Sequence, residues 1–122
     1  MFSFSFRRDS CFPEAICFVH YLSRLTMAAQ NYLITGAGRG IGRGLSRLLL
    51  RKGHRILLLD NDNVELENTS NLLSKSGLHG GKDFETCHVD LRNPHDITNA
   101  ASKADDFFQG RLDCLINNAA CQ

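Results

Sequence analysis

An apolar strand pattern that runs directly into a glycine-rich turn is the feature that most constrains the fold. The run Tyr32-Leu33-Ile34-Thr35 leads into Gly36-Ala37-Gly38-Arg39-Gly40-Ile41-Gly42, where a helical pattern begins. Glycines let a backbone approach a pyrophosphate closely, and the first turn of a helix offers unpaired N–H groups and a positive dipole end. The pattern predicts a strand, a phosphate-binding turn and a helix in succession.

Spacing separates this turn from two other nucleotide-binding loops. A P-loop needs G-x-x-x-x-G-K-[ST], and no glycine of the chain is followed by Lys and then Ser or Thr. The common dinucleotide spacing G-x-G-x-x-G needs a third glycine at position 41, where Ile41 stands. The remaining spacing is G-x-x-x-G-x-G, at Gly36, Gly40 and Gly42.

Strand and helix patterns alternate along the rest of the chain. Further apolar runs predict strands at 55–60, 84–89 and 112–116. Three helices are predicted between them from apolar stripes, which comprise Ile41, Leu45, Leu48 and Leu49, then Val64, Leu66, Leu72 and Leu73, then Ile97, Ala100, Ala101, Ala104, Phe107 and Phe108. Asp62 or Asn63 caps the second helix, and Gly53, Gly77 and Gly110 end the three.

This alternation predicts an α/β fold of the Rossmann type, a doubly wound parallel sheet. Right-handed crossovers place the helices on both faces, and the strand order is expected to be 3-2-1-4. We expect it truncated to about four strands and three helices, with a ligand outside the carboxyl ends of the strands.

Residues at three other strand ends agree with a dinucleotide site. Asp60 ends the second strand 18 residues after Gly42, Asp90 and Leu91 follow the third, and Asn117-Asn118-Ala119-Ala120 follow the fourth. With Thr35 and the glycine spacing, this set resembles the short-chain dehydrogenase/reductase family over about residues 28–122. The sequence departs at Ala120, where the family usually has Gly; if that position needs a positive φ, alanine costs about 1 kcal/mol there.

The resemblance implies a set of cofactor-binding residues, namely Gly36, Arg39, Gly40, Ile41, Gly42, Asp60, Asp90, Leu91, Asn117 and Ala119. It implies that Asp90 contacts the adenine ring with the Leu91 backbone beside it. It also implies that the Asn117 side chain braces the central sheet, and that the small residues after it let the backbone lie against a cofactor ribose.

Asp60 favours NAD over NADP as the cofactor. A carboxylate at this strand end accepts hydrogen bonds from ribose hydroxyls and repels a 2′-phosphate, and Asn61 after it is not basic. Arg39 argues the other way, because NADP-preferring members of this family often carry a basic residue there, but an arginine can point to solvent. The alternative for Asp60 is a solvated turn residue.

Catalytic residues of the family are not found in this sequence. Active members use Tyr-x-x-x-Lys and an upstream Ser beyond the fourth strand, but Leu25 lies four residues after Tyr21 and Gly36 four after Tyr32. We therefore expect the cofactor-binding half of an NAD(P)-dependent oxidoreductase that acts on a carbonyl or secondary alcohol. The alternatives are a non-catalytic dinucleotide-binding module that associates through its exposed fourth strand, or an inert, aggregation-prone truncated product.

Composition argues against a nucleic-acid-binding, membrane-spanning or metal-binding protein. With 14 basic and 13 acidic residues, no charge field favours nucleic acid, and no apolar run reaches the roughly 18 residues of a membrane span. Scattered histidines give no metal-site spacing. An odd five cysteines without Cys-x-x-Cys argue for reduced thiols and the cytoplasm.

Residues 1–26 are predicted to be a leader outside the 27–122 domain, disordered or with a short helix. Arginine and serine enrichment suits a mitochondrial transit peptide, although Asp9 and Glu14 do not. Met27 is an alternative start, in which case the leader is not native.

Overall fold

Strands and helices alternate along residues 28–120, the part of the chain that the computed structural model describes. The predictions for the leader and for Met27 lie outside these residues. The elements are β1 (Asn31–Thr35), α1 (Gly40–Arg51), β2 (Arg55–Asp60), α2 (Asn63–Lys75), β3 (Phe84–His88), α3 (Pro94–Phe108) and β4 (Cys114–Ile116).

The four strands form one parallel sheet in the order β3-β2-β1-β4, which confirms the predicted α/β fold and strand order. In register, Thr35 of β1 lies opposite Leu59 of β2, and Asp60 of β2 lies opposite His88 of β3. Ile34 of β1 pairs with Ile116, the last residue of β4. Because all strands run in the same direction, the residues that follow them gather at one edge.

Both faces of the sheet are buried, as expected for parallel strands between helices. One face packs Ile34, Ile56 and Leu58 against Leu50 of α1 and against Leu66 and Leu73 of α2. The other face packs Leu33, Leu57 and Leu59 against Ala100, Ala104 and Phe108 of α3. Successive residues of β2 therefore pack into the cores on opposite faces of the sheet. Because both faces are buried, the leucine run of β2 is uninterrupted.

The buried stripe of α1 differs from the predicted one. Gly42, Ser46 and Leu50 are buried, whereas Ile41 is 80 % exposed and Leu48 is 51 % exposed. The prediction was wrong for Ile41 and Leu48 because small residues, rather than large apolar ones, bring the helix close to the sheet. Ser46 can lie there because its hydroxyl donates a hydrogen bond to the Gly42 carbonyl at 2.8 Å.

The stripes of α2 and α3 are narrower than predicted. On α2 the buried residues are Leu66, Thr69 and Leu73, and on α3 they are Ala100, Ala104 and Phe108. The prediction was wrong for Val64, Leu72, Ile97 and Ala101, which are exposed. In each helix the buried residues follow one another at a spacing of three or four along a single line, and the apolar residues beside that line stay at the surface.

Helix ends follow the local sequence closely. The Asp62 carboxylate caps α2 by accepting hydrogen bonds from the Val64 and Glu65 N–H groups, which decides between the two predicted caps. Asn93 caps α3 in the same way, whereas α1 has no side-chain cap. Gly53, Gly77 and Gly110 follow the three helices with positive φ, as predicted.

Strand β4 is attached to β1 at its beginning by Asp113. Its Oδ2 accepts a hydrogen bond from the Asn31 N–H at 2.8 Å, and the Asn31 side chain donates to the Arg111 carbonyl at 2.7 Å. The Asn31 N–H and the nearby Arg111 guanidinium hold the pKa of Asp113 below its usual value. Leu115 on this edge strand and Leu112 just before it are about half exposed, and the strand is shorter than the predicted 112–116. Association through this strand stays a prediction.

The Asp113 contact gives a pH-dependent contribution to stability. Because the folded pKa is below the unfolded one, the contribution is present above the ordinary carboxyl pKa of about 3.9 and is lost as the pH falls towards the folded value. We expect Asp113→Asn to reduce the drop in melting temperature between about pH 6 and pH 3, measured by circular dichroism. Asp106→Asn, an exposed carboxylate on α3, is the control. Equal drops in both variants would contradict the assignment.

Candidate functional site

The glycine-rich turn, residues 36–42, lies at the carboxyl edge of the sheet and comprises the link after β1 together with the first residues of α1. Its Ala37 N–H donates to the Leu59 carbonyl at 3.0 Å, so the turn continues the pairing of β1 with β2. The ends of β2 and β4 meet the turn directly through Asp60 and Asn118. Sequence positions far apart along the chain thus converge on this turn.

Two glycines of the predicted motif are required by close contacts. A Cβ on Gly36, which has φ +65°, would lie 2.9 Å from the Ala119 Cα. A Cβ on Gly42 would lie 2.2 Å from the Gly36 carbonyl oxygen and 2.9 Å from the Ala37 Cα. Gly40 faces open space, and its φ of +58° is what favours glycine there.

Gly38 is a site residue that the motif spacing did not identify. Its N–H donates to Oδ2 of Asp60 at 2.8 Å, and a Cβ at this position would lie 2.8 Å from the same oxygen. The other carboxylate oxygen accepts a hydrogen bond from the Asp62 N–H at 3.1 Å. Two backbone donors therefore orient Asp60 at the end of β2, beside the turn.

The bracing side chain after β4 belongs to Asn118. Its amide Nδ2 donates to the Thr35 carbonyl at 3.2 Å and the Gly36 carbonyl at 3.1 Å, whereas Asn117 is exposed. The expectation that the Asn117 side chain braces the sheet was wrong, because the next residue, Asn118, makes these hydrogen bonds. The Asn118 N–H donates a hydrogen bond to the Ile116 carbonyl at 3.1 Å, so the chain turns directly after β4 and brings Asn118, rather than Asn117, to β1.

The Thr35 side chain at the end of β1 fixes the backbone of the segment that follows β4. Its hydroxyl oxygen accepts hydrogen bonds from the N–H groups of Asn118 and Ala119, both at 3.0 Å. Of the described residues, Gln109 is the non-glycine with positive φ, so Ala120 does not carry the strain considered from the sequence. The backbone around Ala119 is thus held against Gly36.

Asp90 lies in the turn between β3 and α3. Oδ1 accepts a hydrogen bond from the Arg92 N–H at 2.9 Å, and Oδ2 lies 2.8 Å from the Arg92 guanidinium. These hydrogen bonds lower the pKa of Asp90 to about 2, so the carboxylate is ionised at neutral pH. Leu91 beside it is half exposed. The contact of these residues with adenine stays a prediction.

Arg43 of α1 and Thr69 of α2 hold the turn through the Gly38 carbonyl, and no sequence pattern indicated either role. The Gly38 carbonyl accepts hydrogen bonds from Arg43 Nε at 2.9 Å and from the Thr69 hydroxyl at 2.7 Å. Arg43 also forms an ion pair with Glu65 of α2. Both the N–H and the carbonyl of Gly38 are therefore bound by neighbouring elements.

The beginning of α1 fits an anionic group such as a diphosphate. The first N–H groups of any α-helix have no partner within the helix, and in α1 no side-chain cap binds them. The first turn also carries no acidic residue that would repel an anion. Cβ atoms at Gly36, Gly38 and Gly42 would collide with the protein's own atoms at 2.9, 2.8 and 2.2 Å, so glycine at these positions lets the turn close on its neighbours. Arg39 and Ile41 are exposed at this end. The described residues therefore suit a dinucleotide.

Metal ligation, thiol chemistry and membrane insertion are other properties that residues 28–120 could have. No cluster of three His, Cys, Asp or Glu side chains there has the geometry to hold a metal ion. Cys87 and Cys114 are free thiols, and burial raises the pKa of Cys87. None of the helices in this range has the length and apolar content needed to cross a bilayer.

Comparison with known proteins places this site in a family. The family model described as short chain dehydrogenase matches residues 30–122. Oxidoreductase UcpA from Salmonella typhimurium is 34 % identical over 94 residues, which are 76 % of this chain and 33 % of that protein. The chain thus spans about one third of the length of this relative.

Two solved structures resemble the described fold. One is a short-chain dehydrogenase/reductase from Burkholderia phymatum in complex with NAD, 26 % identical, with a TM-score of 0.63 over 71 % of this chain and 29 % of that chain. The other is the C-domain of a bacterial malonyl-CoA reductase with NADP, 31 % identical, with a TM-score of 0.64 over 75 % and 15 %. Because both cofactors occur among similar proteins, cofactor choice must be argued from this chain's own residues.

Two glycines of α1 provide a matched test of the packing at the turn. Gly42→Ala places a Cβ against backbone atoms that cannot move aside, so we expect a loss of roughly 1–3 kcal/mol in the free energy of unfolding. Gly44→Ala faces open space in the same helix and should gain about 0.5–1 kcal/mol from helix propensity. Chemical denaturation measures both. Equal stabilities for the two variants would contradict the packing described.

Proposed function

Because the chain belongs to the short-chain dehydrogenase/reductase family, we propose that it binds NAD in preference to NADP and provides the cofactor-binding part of an oxidoreductase. The observation that carries the proposal is the Asp60 carboxylate, held by Gly38 and Asp62 N–H groups at the carboxyl end of β2. The hydride transfer would interconvert a carbonyl and a secondary alcohol on a small-molecule substrate. Neither tyrosine of the printed sequence belongs to a Tyr-x-x-x-Lys motif.

The turn would hold the diphosphate. The first N–H groups of α1, at Gly40, Ile41 and Gly42, are available as donors, and the positive end of the helix dipole favours an anion there. Bound NAD supplies a nicotinamide ring that accepts or donates a hydride. The chain's own part is to fix the cofactor's position, because the turn is already shaped by hydrogen bonds from β2, α2 and the segment after β4.

Cofactor choice depends on the balance between Asp60 and Arg39. Asp60 is half-buried and oriented, whereas Arg39 is exposed. A negative charge about 4 Å from a second one costs roughly 1 kcal/mol even in water, which corresponds to several-fold in affinity. An exposed arginine gains little from a phosphate because solvent and salt screen it. The carboxylate is therefore the stronger influence.

The remaining contacts extend the site along the sheet edge. We assign Asp90 and Leu91 to the adenine ring, and Asn117 and Ala119 to the nicotinamide ribose. Support comes from the ionised carboxylate of Asp90 and from the Ala119 backbone, which Thr35 holds close to Gly36. The cytoplasm is the proposed compartment because the cysteines are odd in number and form no Cys-x-x-Cys motif, as is typical of reduced thiols.

Titration of the 122-residue chain with NADH and NADPH, followed by nicotinamide fluorescence, tests the proposal. We expect NADH to bind roughly tenfold more tightly than NADPH, and Asp60→Asn to remove most of this difference by abolishing the repulsion. Asp106→Asn on α3 is the matched control and should keep the preference. Absence of binding, or a wild-type preference for NADPH, would sink the proposal.

A further inference from the structure

We propose that Glu65, acting through its ion pair with Arg43, is a second determinant of cofactor choice. The proposal rests on the NAD preference proposed above. Asp60 is the carboxylate at the end of the strand, whereas Glu65 lies on the helix that follows. Its effect comes from neutralising a cation that would otherwise attract the phosphate of NADP.

Glu65 lies beside Asp60 at the turn. A Cβ built on Gly38 would be 2.8 Å from Oδ2 of Asp60 and 3.1 Å from the Cβ of Glu65. Both acidic residues therefore border the same point above Gly38. The Asp62 cap produces this arrangement, because it starts α2 immediately after β2 and places Glu65 in the first turn of the helix.

Arg43 is the cation whose charge Glu65 neutralises. Its guanidinium lies 2.5 Å from the Glu65 carboxylate, and its Nε donates to the Gly38 carbonyl and to the Thr69 hydroxyl. The two side chains of the pair are about one quarter exposed, so solvent screens them only in part. Arg43 is thus an arginine at the turn whose charge is already matched by a carboxylate.

The charge balance at Gly38 predicts the direction of the effect. With Glu65 present, Arg43 and Glu65 form a neutral ion pair, so a phosphate near the Gly38 N–H meets the Asp60 carboxylate without an opposing charge from Arg43. Without the Glu65 charge, the positive charge of Arg43 is uncompensated and offsets Asp60, so NADP should bind better. Without Arg43, Glu65 becomes a second unpaired carboxylate, and NADP should bind worse relative to NAD.

A purely structural role predicts something different. Arg43 also holds the Gly38 carbonyl, so its loss disturbs the turn for any dinucleotide. If the pair acted only as a brace, both variants would weaken NADH and NADPH by the same factor. The ratio of the two dissociation constants would then stay at the wild-type value. Opposite shifts of this ratio in the two variants are a property of the charges.

The experiment compares Glu65→Gln, Arg43→Met and Glu67→Gln in the 122-residue chain. Dissociation constants for NADH and NADPH are measured by fluorescence titration at low and high salt, after circular dichroism has shown that each variant is folded. Glu65→Gln keeps the shape of the side chain and removes its charge. Glu67→Gln removes an exposed carboxylate from the same helix and controls for net charge.

We expect Glu65→Gln to lower the ratio of the NADPH to the NADH dissociation constant about three- to tenfold, and high salt to reduce this effect. Arg43→Met should raise the ratio, and Glu67→Gln should leave it unchanged. An unchanged ratio in Glu65→Gln, or equal losses for both cofactors in Glu65→Gln and Arg43→Met, would overturn the proposal. If Glu65→Gln does not fold, the proposal is tested by Arg43→Met alone. A rise in the ratio of the NADPH to the NADH dissociation constant then supports it, and an unchanged or lower ratio overturns it.

The wild-type chain separates this inference from the proposed function. If it binds NADH more tightly than NADPH while the variants keep its ratio, only the role of Glu65 is overturned. If it binds neither cofactor, or prefers NADPH, the proposed function fails and this inference fails with it.

Discussion

The hydrogen bond from the Gly38 N–H to Asp60 is the interaction on which the site depends. It joins the middle of the turn to the end of β2, and only glycine leaves room for it. The carbonyl of the same residue is held by Arg43 and Thr69. A turn fixed through both backbone groups loses little conformational entropy when a ligand arrives, and such preorganisation increases affinity.

The sheet supports this contact by bringing distant segments to one edge. Parallel strands need crossover helices, and the leucines of β2 are buried on both faces to hold these helices in place. The order β3-β2-β1-β4 then puts the turn beside Asp60 on one side and Asn118 on the other. Packing thus determines which side chains meet, and hydrogen bonds determine their orientation.

The sequence predicted the helix ends because these depend on local periodicity and on backbone conformation. It predicted the strand order because alternating strands and helices joined by right-handed crossovers allow few topologies. The buried stripe of α1 differs from the predicted one because it runs through the small residues Gly42 and Ser46 to Leu50, which leaves Ile41 and Leu48 at the surface. Gly38, Asn118 and Glu65 were missed for a common reason. Their roles depend on contacts between segments more than 20 residues apart, which spacing along one segment does not encode.

Backbone amide chemical shifts of the chain during titration with NADH test the central claim, that a turn shaped by the protein itself is a dinucleotide site, most directly. A two-dimensional ¹⁵N spectrum reports each amide separately. We expect the largest changes on the turn at 36–42, on Asp60 and on residues 117–119, while the outer face of α3 is unaffected. Changes confined to other surfaces, or no changes at saturating NADH, would contradict it.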